Sequence, residues 1–531
     1  MRSGVSRVGR PRRARGRDRM KAQVVVVGGG PVGMLVAAEL AAYGVDTVVL
    51  EARARVCERP KANTLHARAV QCLVRRGHLP RQVAASDGVG AFHFAGLPGL
   101  VISAPVTEPE PILKYPQAEL ERRFEERAKA AGARVLREHR VTDVVQGEEG
   151  VRVTAEGPRG PVVCDARYLV GADGARSAVR ELAGIGSDTH QATVSALMGE
   201  VTLTDPQALT DGWHRTPRGW VVAKRGPERR MYVRTLNCAG AHDDRKRPPT
   251  QEELRQEVSW IAGREIGMEG ARWLGRFSDF ARLAHTFRER RVFLVGDAAH
   301  VHFPIGGQGL STGVLDALNL GWKLALAARG AAGAALLDTY DLERRPAARQ
   351  VIDNTRAQLA LMRPGSEMDS LRDVFTSMLA ADRDHGRLSG MISAQDTVFP
   401  GHTGRPSAAA GTFLHNVPLR VRGRDTDVVG LLRDGRPLLL LMGTRAGRHR
   451  AGARGWERAL HVVRAAASPD IPHEALLVRP DGYVAWAPGG DDMAAALSVY
   501  FARDAWTAER RAAADQPDSA SCASAALRAS A

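Results

Sequence analysis

Four residues near the start of the chain have the types and the spacing that a phosphate-binding turn requires. Gly28, Gly30 and Gly33 fill a G-x-G-x-x-G frame directly after four valines, and Glu51 follows 18 positions after Gly33. In such a frame one glycine permits a tight turn, one lets the backbone approach a pyrophosphate, and one lets a helix pack on a strand. The acid stands where a ribose hydroxyl needs an acceptor. The pattern therefore predicts a site for an adenine dinucleotide.

The elements that must position these residues can be read from the surrounding sequence. Residues 24–27 are β-branched and apolar, which is typical of a buried strand. A helix is predicted from there to about Tyr43, ahead of Gly44, and residues 45–50 return as a second strand. Strand, glycines, helix, strand and acid in this order predict an α/β fold with a Rossmann-like domain. A glycine-rich turn without a ligand is the alternative interpretation.

A second turn lies at residues 171–180, GADGARSAVR. It follows a predicted buried strand at residues 168–170, and a small antiparallel meander is predicted before that strand, at residues 141–145, 151–154 and 162–163. Asp173 stands at the carboxyl end of the strand, where a phosphate or a ribose can bind. An isolated Asp-Gly pair is also an ordinary turn, so this motif indicates a ligand site only in combination with the other two motifs.

The third motif spans residues 291–330. A strand at residues 292–295 is predicted to end at Gly296 and Asp297, and a helix is predicted from about Leu310 to Arg329. The loop between them contains Pro304, Gly306, Gly307 and Gly309. The first turn of a helix has unpaired N–H donors and a partial positive charge of about half a unit. A planar ring that becomes anionic when it is reduced is stabilised at such a position.

Other candidate residues lie outside the three motifs. Gln117 begins a predicted amphipathic helix at residues 114–131, where its amide can reach a ligand. Residues 220–236 predict a β-hairpin within a sheet that forms the wall of a second site. Trp213, Trp220 and Tyr232 are candidate substrate contacts on that wall, although packing in the core is the simpler interpretation of each.

Two further groups suggest other roles. His300 and His302 are one residue apart, but no third ligand lies nearby in the sequence, so we expect no metal site. The run Glu343, Arg344 and Arg345 in a predicted helix at residues 339–355 favours a structural network of ion pairs over a catalytic site.

Composition limits the class of protein. Lys and Arg exceed Asp and Glu by 16, but residues 1–19 hold eight Arg and one Asp, which leaves 67 basic against 58 acidic residues from Met20 onward. This modest excess, without a basic stripe beside aromatic residues, argues against nucleic-acid binding. No window approaches the ~18 apolar residues of a membrane span. The five cysteines are scattered and form no C-x-x-C, so a reducing, cytoplasmic setting is expected.

The pattern also predicts a domain organisation. Residues 1–19 are interpreted as a disordered leader or as sequence upstream of the true start at Met20. A discontinuous dinucleotide-binding domain is predicted at residues 20–183 and 281–396, with a sheet domain for substrate at residues 184–280 together with 84–112. Residues 397–508 predict a separate α/β domain, and residues 509–531 a disordered tail.

These three motifs together resemble the flavin-dependent aromatic hydroxylases of the para-hydroxybenzoate hydroxylase type, and especially the three-domain monooxygenases that tailor aromatic polyketides. The resemblance implies that FAD is the dinucleotide, that Glu51 holds the adenosine ribose, and that Gln117 and Asp297 hold its ribityl-pyrophosphate region. Asp173 would lie in a motif tied to both FAD and NAD(P)H. Pro304 and the loop 306–309, with Leu310 and Ser311, would border the isoalloxazine. Residues 397–508 would be a thioredoxin-like domain, redox-inert without C-x-x-C.

The resemblance also implies a reaction. NADPH or NADH would reduce FAD, O2 would add at the flavin C4a carbon, and the hydroperoxide would transfer one oxygen atom to an aromatic phenol or polycyclic polyketide. No side chain need act as a nucleophile. The protein would be a monomer or a homodimer. Baeyer-Villiger insertion or epoxidation of a polycyclic ketone, a dehydrogenase or reductase without oxygen insertion, and a non-enzymatic flavin-binding sensor are the alternatives.

Two positions depart from the family pattern. Where relatives usually have Arg in the loop before the first substrate-side helix, this chain has Lys61, which keeps the charge but not the planar fork. Where relatives usually have Asn after the glycine-rich loop, this chain has Ser311, which can still cap the helix but lacks a side-chain amide for contact with the flavin.

Overall fold

The first strand overlaps the end of the predicted leader. The computed structural model describes residues 18–81, 90–242, 247–381, 386–444, 446–456 and 459–501. Asp18 and Arg19 already belong to the first strand, where they pair with Val162 and Val163, so this strand begins two residues before Met20. Residues 1–17 and the predicted tail at residues 509–531 lie outside the described residues.

A parallel α/β arrangement builds the first part of the chain. Val24, Val25 and Val26 are completely buried because parallel strands flank them on both sides. The elements are β1 (Asp18–Val27), α1 (Pro31–Ala42), β2 (Thr47–Glu51), β3 (Thr64–His66), α2 (Ala67–Arg75), β4 (Ala91–Phe94), β5 (Leu97–Val101), β6 (Ile112–Lys114), α3 (Gln117–Ala130), β7 (Arg134–Arg137), β8 (Arg140–Gln146), β9 (Val151–Gly157), β10 (Gly160–Gly171) and α4 (Ala178–Leu182).

The strand β10 is longer than the sequence indicates. The predicted short strand at residues 162–163 and the buried strand at residues 168–170 form one continuous strand of 12 residues. It pairs with β9 in antiparallel fashion and with β1 in parallel. Asp165 interrupts the apolar pattern, but it accepts hydrogen bonds from Arg19 (2.7 Å) and Arg152 (2.8 Å), so the polar residue is satisfied without ending the strand.

An antiparallel sheet with one covering helix forms the middle of the chain. The elements of this part of the chain are β11 (Ser187–His190), β12 (Ser195–Leu203), β13 (Gly212–Thr216), β14 (Gly219–Arg225), β15 (Arg230–Asn237), α5 (Gln251–Ala262) and β16 (Met268–Ser278), and every strand except β11 belongs to this sheet. The order in the sheet is β13-β14-β15-β12-β16, and the predicted hairpin is confirmed as β14 and β15. Thr250 begins α5, since its hydroxyl accepts a hydrogen bond from the amide of Glu253.

The third part returns to the first sheet. It contains β17 (Ala281–Ala284), β18 (Arg288–Glu289), β19 (Val292–Leu294), β20 (His300–Val301), α6 (Gly309–Ala328), α7 (Ala334–Leu361), α8 (Ser366–Ala381) and α9 (Arg387–Ser393). The main sheet has the order β18-β19-β10-β1-β2-β7, in which β19, β10, β1, β2 and β7 are parallel. The helix predicted at residues 310–329 is confirmed as α6, and α7 extends beyond both ends of the helix predicted at residues 339–355.

A smaller mixed sheet organises the last described part. The elements are β21 (Pro418–Val421), β22 (Arg424–Asp427), α10 (Val428–Leu432), β23 (Leu438–Met442), α11 (Gly447–Ala451), β24 (His461–Ala465), β25 (Ala475–Val478), β26 (Val484–Trp486) and α12 (Met493–Tyr500). The order is β24-β23-β25-β26, with β23 and β24 parallel and the other pairs antiparallel. The predicted division of the chain into domains stays a prediction.

Buried charges join this last part to α6 and α7. We call Lys323, Glu343, His402, Arg479 and Asp481 the buried charge cluster. Glu343 lies 2.7 Å from the ammonium of Lys323 and 2.7 and 2.8 Å from the guanidinium of Arg479, which also contacts Asp481 at 2.6 Å. Nε2 of His402 lies 2.8 Å from the same carboxylate. The expectation of a structural network around Glu343 is confirmed.

Within the described residues several kinds of site are absent. No helix there is long and apolar enough to cross a membrane. No group of three or more His, Cys, Asp or Glu side chains in that part could hold a metal ion. The cysteines of the described residues, Cys57, Cys72, Cys164 and Cys238, are free thiols.

Candidate cofactor and substrate site

Four parallel strands end at one level of the main sheet. Val27 pairs with Leu50 on β2 and with Gly171 on β10, and Gly171 pairs with Leu294 on β19. The loops that follow these strands therefore meet at one edge. Ligands of open α/β sheets bind in the crevice outside the carboxyl ends of the strands. The three sequence motifs and Glu51 are thus brought together, although they are separated by up to about 270 residues in the chain.

The three glycines of the first turn have different spatial roles. Gly28 has φ +104°, and a Cβ there would lie 2.3 Å from the carbonyl oxygen of Ala172. A Cβ on Gly33 would lie 2.0 Å from the carbonyl oxygen of Gly28, so this position holds α1 close to the end of β1. A Cβ on Gly30 would meet nothing within 4 Å. Gly30 is also the N-cap of α1 and has no side chain to satisfy the first amides, which leaves open space at a helix N-terminus.

Glu51 is fixed beside this turn. One carboxylate oxygen accepts a hydrogen bond from the amide of Gly29 at 2.5 Å, and the other accepts one from the amide of Arg53 at 2.7 Å. A carboxylate has about four acceptor positions, so both oxygens keep capacity for a hydroxyl donor. The acid is half-buried, which leaves it accessible from the crevice.

Asp173 is occupied by its own turn. The hydroxyl of Ser177 donates to one carboxylate oxygen at 2.5 Å, and the amide of Val179 donates to the other at 3.1 Å. Burial raises the pKa of this carboxyl group. Arg180, in the helix that follows, donates to the carbonyl oxygen of Ala298 at 3.1 Å and so connects the second motif to the third. These contacts favour a positioning role for Asp173 over a direct contact with a ligand.

Asp297, unlike Asp173, is not engaged by its own turn. Its carboxylate is exposed, and no side chain or amide of the described residues makes a hydrogen bond or ion pair with it. Surrounding protein atoms nevertheless raise its pKa, against the opposing effects of His300 and Lys61. An exposed but desolvated acid lies in a recess. Asp297 and Lys61 therefore border the crevice that the strand ends form.

A buried network holds the Asp297 turn in place. Asp316 on α6 accepts hydrogen bonds from the amide of Gly296 (3.0 Å) and from the guanidinium of Arg344 (2.8 Å), and Nε2 of His300 lies 2.7 Å from it. Burial opposes ionisation of Asp316, but Arg344 and His300 together outweigh this effect and the pKa is lowered. His300 is thus engaged with Asp316, while Nδ1 of His302 lies 2.9 Å from the carbonyl oxygen of Phe303.

The glycine-rich loop is tied to β3 by His66. Gly306 and Gly307 have φ of +72° and +61°, in the left-handed region that favours glycine. Nε2 of His66 lies 2.8 Å from the carbonyl oxygen of Gly306. Burial lowers the pKa of this histidine to about 4, so it is neutral and donates to Gly306 through Nε2. The sequence alone did not single out His66, because nothing local distinguishes it from a core histidine.

Ser311 does not cap α6. The helix begins at Gly309, so Ser311 lies inside the first turn, and its hydroxyl accepts a hydrogen bond from the amide of His66 at 3.0 Å. The capping expectation is therefore wrong, and the residue joins the helix to β3. Leu310 is buried in the same turn, whereas Pro304 at the start of the loop is exposed.

The helix expected at residues 114–131 begins later. Lys114 is the last residue of β6, and Gln117 is the first residue of α3. The half-buried Gln117 donates its backbone amide to the carbonyl oxygen of Ala62 at 3.1 Å, which places it next to the loop of Lys61. Its side chain can reach the crevice from that position.

One face of the middle sheet is the wall of a second recess. Met231 and Val233 pack against α5 in a hydrophobic core, so Tyr232 and Arg234 lie on the opposite face. Arg234 is exposed, and yet surrounding protein atoms lower its pKa. This combination again indicates a recess.

The candidate substrate residues separate into two groups. Trp220 is 2% exposed and donates its indole N–H to the carbonyl oxygen of Met362 at 2.6 Å, so it belongs to the core, as the simpler interpretation predicts, and is not kept as a substrate candidate. Trp213 is 36% exposed and lies 4.6 Å, centre to centre, from the ring of His93. Tyr232 is half-buried on the recess side. Trp213 and Tyr232 remain candidates.

Comparisons with known proteins cover most of the chain. Residues 21–355 match the family model of an FAD binding domain, and residues 407–509 match that of the aromatic-ring hydroxylase C-terminal domain. A rifampicin monooxygenase from Streptomyces venezuelae is 36% identical over 88% of this chain and 96% of the relative. A 12-dehydrotetracycline 5-monooxygenase/anhydrotetracycline 6-monooxygenase from Streptomyces rimosus is 35% identical over 91% and 99% of the two chains.

A solved structure agrees with the fold. The crystal structure of an aromatic hydroxylase from angucycline biosynthesis is similar to this chain with a TM-score of 0.82 and 32% sequence identity. The similarity covers 90% of this chain and 99% of that one, so it includes the two large sheets and the C-terminal sheet.

Proposed function

The chain belongs to the FAD-dependent aromatic-ring monooxygenases, and on this basis we propose that it transfers one oxygen atom of O2 to a polycyclic aromatic substrate with NADPH or NADH as reductant. The observation that carries the proposal is the meeting of Gly30, Glu51 and Asp297 at one sheet edge. Similar proteins are named for rifampicin, for tetracycline intermediates and for angucycline biosynthesis. On the basis of those names we propose that the substrate of this chain is also polycyclic.

The residues at the sheet edge fit FAD. The open space at Gly30 suits a pyrophosphate, because a helix N-terminus offers unpaired amides and a favourable dipole. Glu51 has acceptor capacity for ribose hydroxyls, and Asp297, which lacks a partner among the described residues, offers a carboxylate to the ribityl hydroxyls. Gln117 and Lys61 border the same crevice. Bound FAD supplies the redox and oxygen chemistry.

The protein contributes orientation and charge stabilisation. The first turn of α6 directs its free amides towards the loop of Gly306, Gly307 and Gly309, which we place beside the isoalloxazine together with Pro304, Leu310 and Ser311. Negative charge near a helix N-terminus gains about 0.3 to 2 kcal/mol. His66 fixes the Gly306 carbonyl group and so sets the direction of this loop. No side chain is assigned as a nucleophile.

Several finer features belong to the proposal. The described chain has one glycine fingerprint, which suits a nicotinamide cofactor that binds transiently beside the flavin. The C-terminal sheet, without a C-x-x-C pair, is assigned a structural role or a contact between subunits of a homodimer. We keep the three predicted domains, at residues 20–183 with 281–396, 184–280 with 84–112, and 397–508, as part of this proposal.

The test follows the consumption of NAD(P)H and O2 by the purified yellow protein. A panel of polycyclic phenols and naphthoquinones is added under 18O2, and products are analysed by mass spectrometry. Substrate-stimulated oxidation and a product that carries one 18O atom are expected. The position of the label separates ring hydroxylation from insertion beside a carbonyl group. Turnover that continues without O2 on a dye acceptor, and no oxygenated product, would overturn the proposal in favour of a dehydrogenase.

A pair of variants tests the cofactor site itself. Asp297→Asn is expected to weaken FAD retention, because it removes the negative charge of a carboxylate that faces the crevice. Asp143→Asn is the matched control, since Asp143 is exposed on β8 and its carboxylate likewise makes no hydrogen bond or ion pair with the described residues. Equal FAD retention by the two variants would remove Asp297 from the cofactor site.

A further inference from the structure

Three cations line the recess beside the middle sheet. Lys224 lies opposite Tyr232 in the pairing of β14 and β15, and Arg234 lies two residues further along β15 on the same face. Lys114, at the end of β6, is close enough that Lys224 and Arg234 both lower its pKa, in addition to the larger effect of desolvation. We call Lys114, Lys224 and Arg234 the recess cations.

Lys114 connects this recess to the glycine-rich loop. Its ammonium donates to the hydroxyl of Thr64 at 2.8 Å, and Thr64 lies directly opposite it in the pairing of β3 and β6. A Cβ on Gly307 would lie 3.4 Å from Cβ of Thr64. Lys114 is thus separated from the loop by a single side chain, while Arg234 lies on the far wall. A molecule held between them is beside the loop that borders the flavin.

The recess cations lack acidic partners in the described part of the chain. No ion pair or hydrogen bond to a carboxylate is made there by Lys114, Lys224 or Arg234. Glu200 lies on the same face of the sheet, but it is engaged with Arg230 at 3.4 Å and with the indole N–H of Trp273 at 3.1 Å. Gathering like charges in a partly desolvated recess costs free energy. A bound anion removes that cost.

Aromatic rings complete the recess. The ring of Phe92 lies 5.9 Å from the ammonium of Lys114 and 4.7 Å from the ring of His93, which in turn lies 4.6 Å from Trp213. Burial and the charge of Lys114 lower the pKa of His93 to about 4, so this ring is neutral at pH 7. The recess therefore offers both apolar aromatic surface and cations, which suits a planar aromatic anion.

We infer that this recess binds the aromatic substrate as an anion, a carboxylate or a phenolate, held between Lys114 on the flavin side and Arg234 on the middle sheet. The inference rests on the proposed function, because it takes the recess to be the substrate site of the monooxygenase. Beyond the proposed function, it specifies that the substrate is negatively charged and which residues select that charge. A neutral polycyclic ring of the same shape lacks a partner for these cations and binds less tightly.

The test compares two probes of nearly equal shape. The anion is 3-hydroxy-2-naphthoate and the neutral probe is its methyl ester, and binding to the oxidised holoenzyme is followed by the change in the flavin absorption spectrum. The wild-type protein is expected to prefer the anion. Arg234→Gln and Lys114→Gln are each expected to weaken binding of the anion about tenfold, the effect of losing one charged hydrogen bond. Binding of the ester is expected to change less than about twofold.

A matched variant controls for total charge. Arg225→Gln removes one positive charge from β14, but Arg225 lies on the opposite face and is paired with Asp211 at 3.9 Å, so the preference for the anion is expected to persist. The inference is overturned if the wild-type protein binds the ester as tightly as the anion or does not bind the anion. It is also overturned if both recess variants keep the wild-type preference, or if they change only the KM for NADPH.

Failure of the inference and failure of the proposed function give different results. If neutral phenols are oxygenated as efficiently as anionic ones, the monooxygenase survives and the anion site does not. If no aromatic compound stimulates NAD(P)H oxidation, the proposed function fails, while the spectral titration still reports whether Lys114 and Arg234 bind an anion.

Discussion

Replacing Gly30 with Ala tests whether the open space at the start of α1 belongs to the cofactor. Gly30 has φ −70° and ψ 177°, which alanine adopts without strain, and a Cβ there meets nothing within 4 Å. Reduced freedom of the unfolded chain favours Gly30→Ala by about 0.4–1 kcal/mol. Alanine is a poorer N-cap than glycine by a similar amount. The cofactor-free protein should therefore keep its free energy of unfolding within about 0.5 kcal/mol.

The effect on FAD binding should be much larger. If a pyrophosphate approaches the backbone at Gly30, the added methyl group removes at least one charge-assisted hydrogen bond, which contributes about 1.5–3 kcal/mol. This loss weakens FAD binding about ten- to hundredfold. At an FAD concentration of about 100 times the wild-type Kd, stabilisation by FAD should fall from about 2.7 kcal/mol to about 0.4–1.4 kcal/mol.

Denaturant unfolding with and without added FAD measures both quantities. Gly333→Ala is the matched control, because Gly333 is the N-cap of α7, has φ −85°, and also has open space around its Cβ position. That variant should bind FAD like the wild-type protein. The reasoning is refuted if Gly30→Ala binds FAD with wild-type affinity, or if it destabilises the cofactor-free protein by more than about 1 kcal/mol.

Three further predictions concern stability. Gly33→Ala should destabilise even the cofactor-free protein by about 1–3 kcal/mol or more in denaturant unfolding, because its Cβ would lie 2.0 Å from the carbonyl oxygen of Gly28. His66 has a pKa lowered to about 4 from its ordinary 6.5, so the unfolded chain takes up its proton first as the pH falls. The stability contributed by neutral His66 is fully present above pH 6.5 and is lost as the pH falls towards 4. Between pH 7 and 5, the free energy of unfolding of the wild-type protein should therefore fall by about 2 kcal/mol more than that of His66→Gln. Glu343→Gln should cost about 3–5 kcal/mol in chemical unfolding of the holoenzyme, because it leaves Lys323 and Arg479 buried without their shared counter-ion.

Each of these predictions has a result that contradicts it. Wild-type stability of Gly33→Ala would mean that α1 shifts freely along β1. Equal acid sensitivity of the wild-type protein and His66→Gln would show that the histidine is protonated without cost in the folded state. For the charge cluster the control is Glu265→Gln, whose carboxylate is exposed and paired with Arg255, and which should cost less than about 1 kcal/mol. Similar costs for the two Glu variants would contradict the role assigned to burial.

The parts of the fold that local sequence determines were predicted correctly. The glycine turn and its flanking elements are specified within about 30 residues, by the positive φ of Gly28, the close packing of Gly33 and the apolar run before them. The helix α6 and the hairpin of β14 and β15 have the same property, since their apolar periodicity and their turn residues are local. Long-range contacts are not needed to recognise any of these elements.

The errors arise where a distant partner decides the structure. The middle of β10 contains Asp165, which looks like a break until Arg19 and Arg152 are known to bind it. The helix α3 was expected to include Lys114, although Pro116 just before Gln117 is a local signal for a later start. Ser311 was interpreted as a cap because its partner, the amide of His66, lies 245 residues away in the chain.

The substrate side of the site was the least accessible to prediction. Trp220 is indistinguishable in sequence from an aromatic residue of a binding wall, and only its burial and its bond to Met362 place it in the core. Arg234 and Lys114 resemble ordinary surface cations in their own segments. Their significance depends on three strands from different parts of the chain that enclose one recess.

The buried charge cluster limits how this chain can be recombined with its relatives. Arg479 and Asp481 come from the C-terminal sheet, whereas Lys323 and Glu343 come from α6 and α7. In a chimaera, a transplanted C-terminal segment must supply an equivalent cation and acid at positions 479 and 481. A segment that supplies only one of the two leaves an unbalanced charge buried against the same helix whose first turn faces the glycine-rich loop. The C-terminal segment and the helices α6 and α7 must therefore be exchanged together, although they are separate in the sequence.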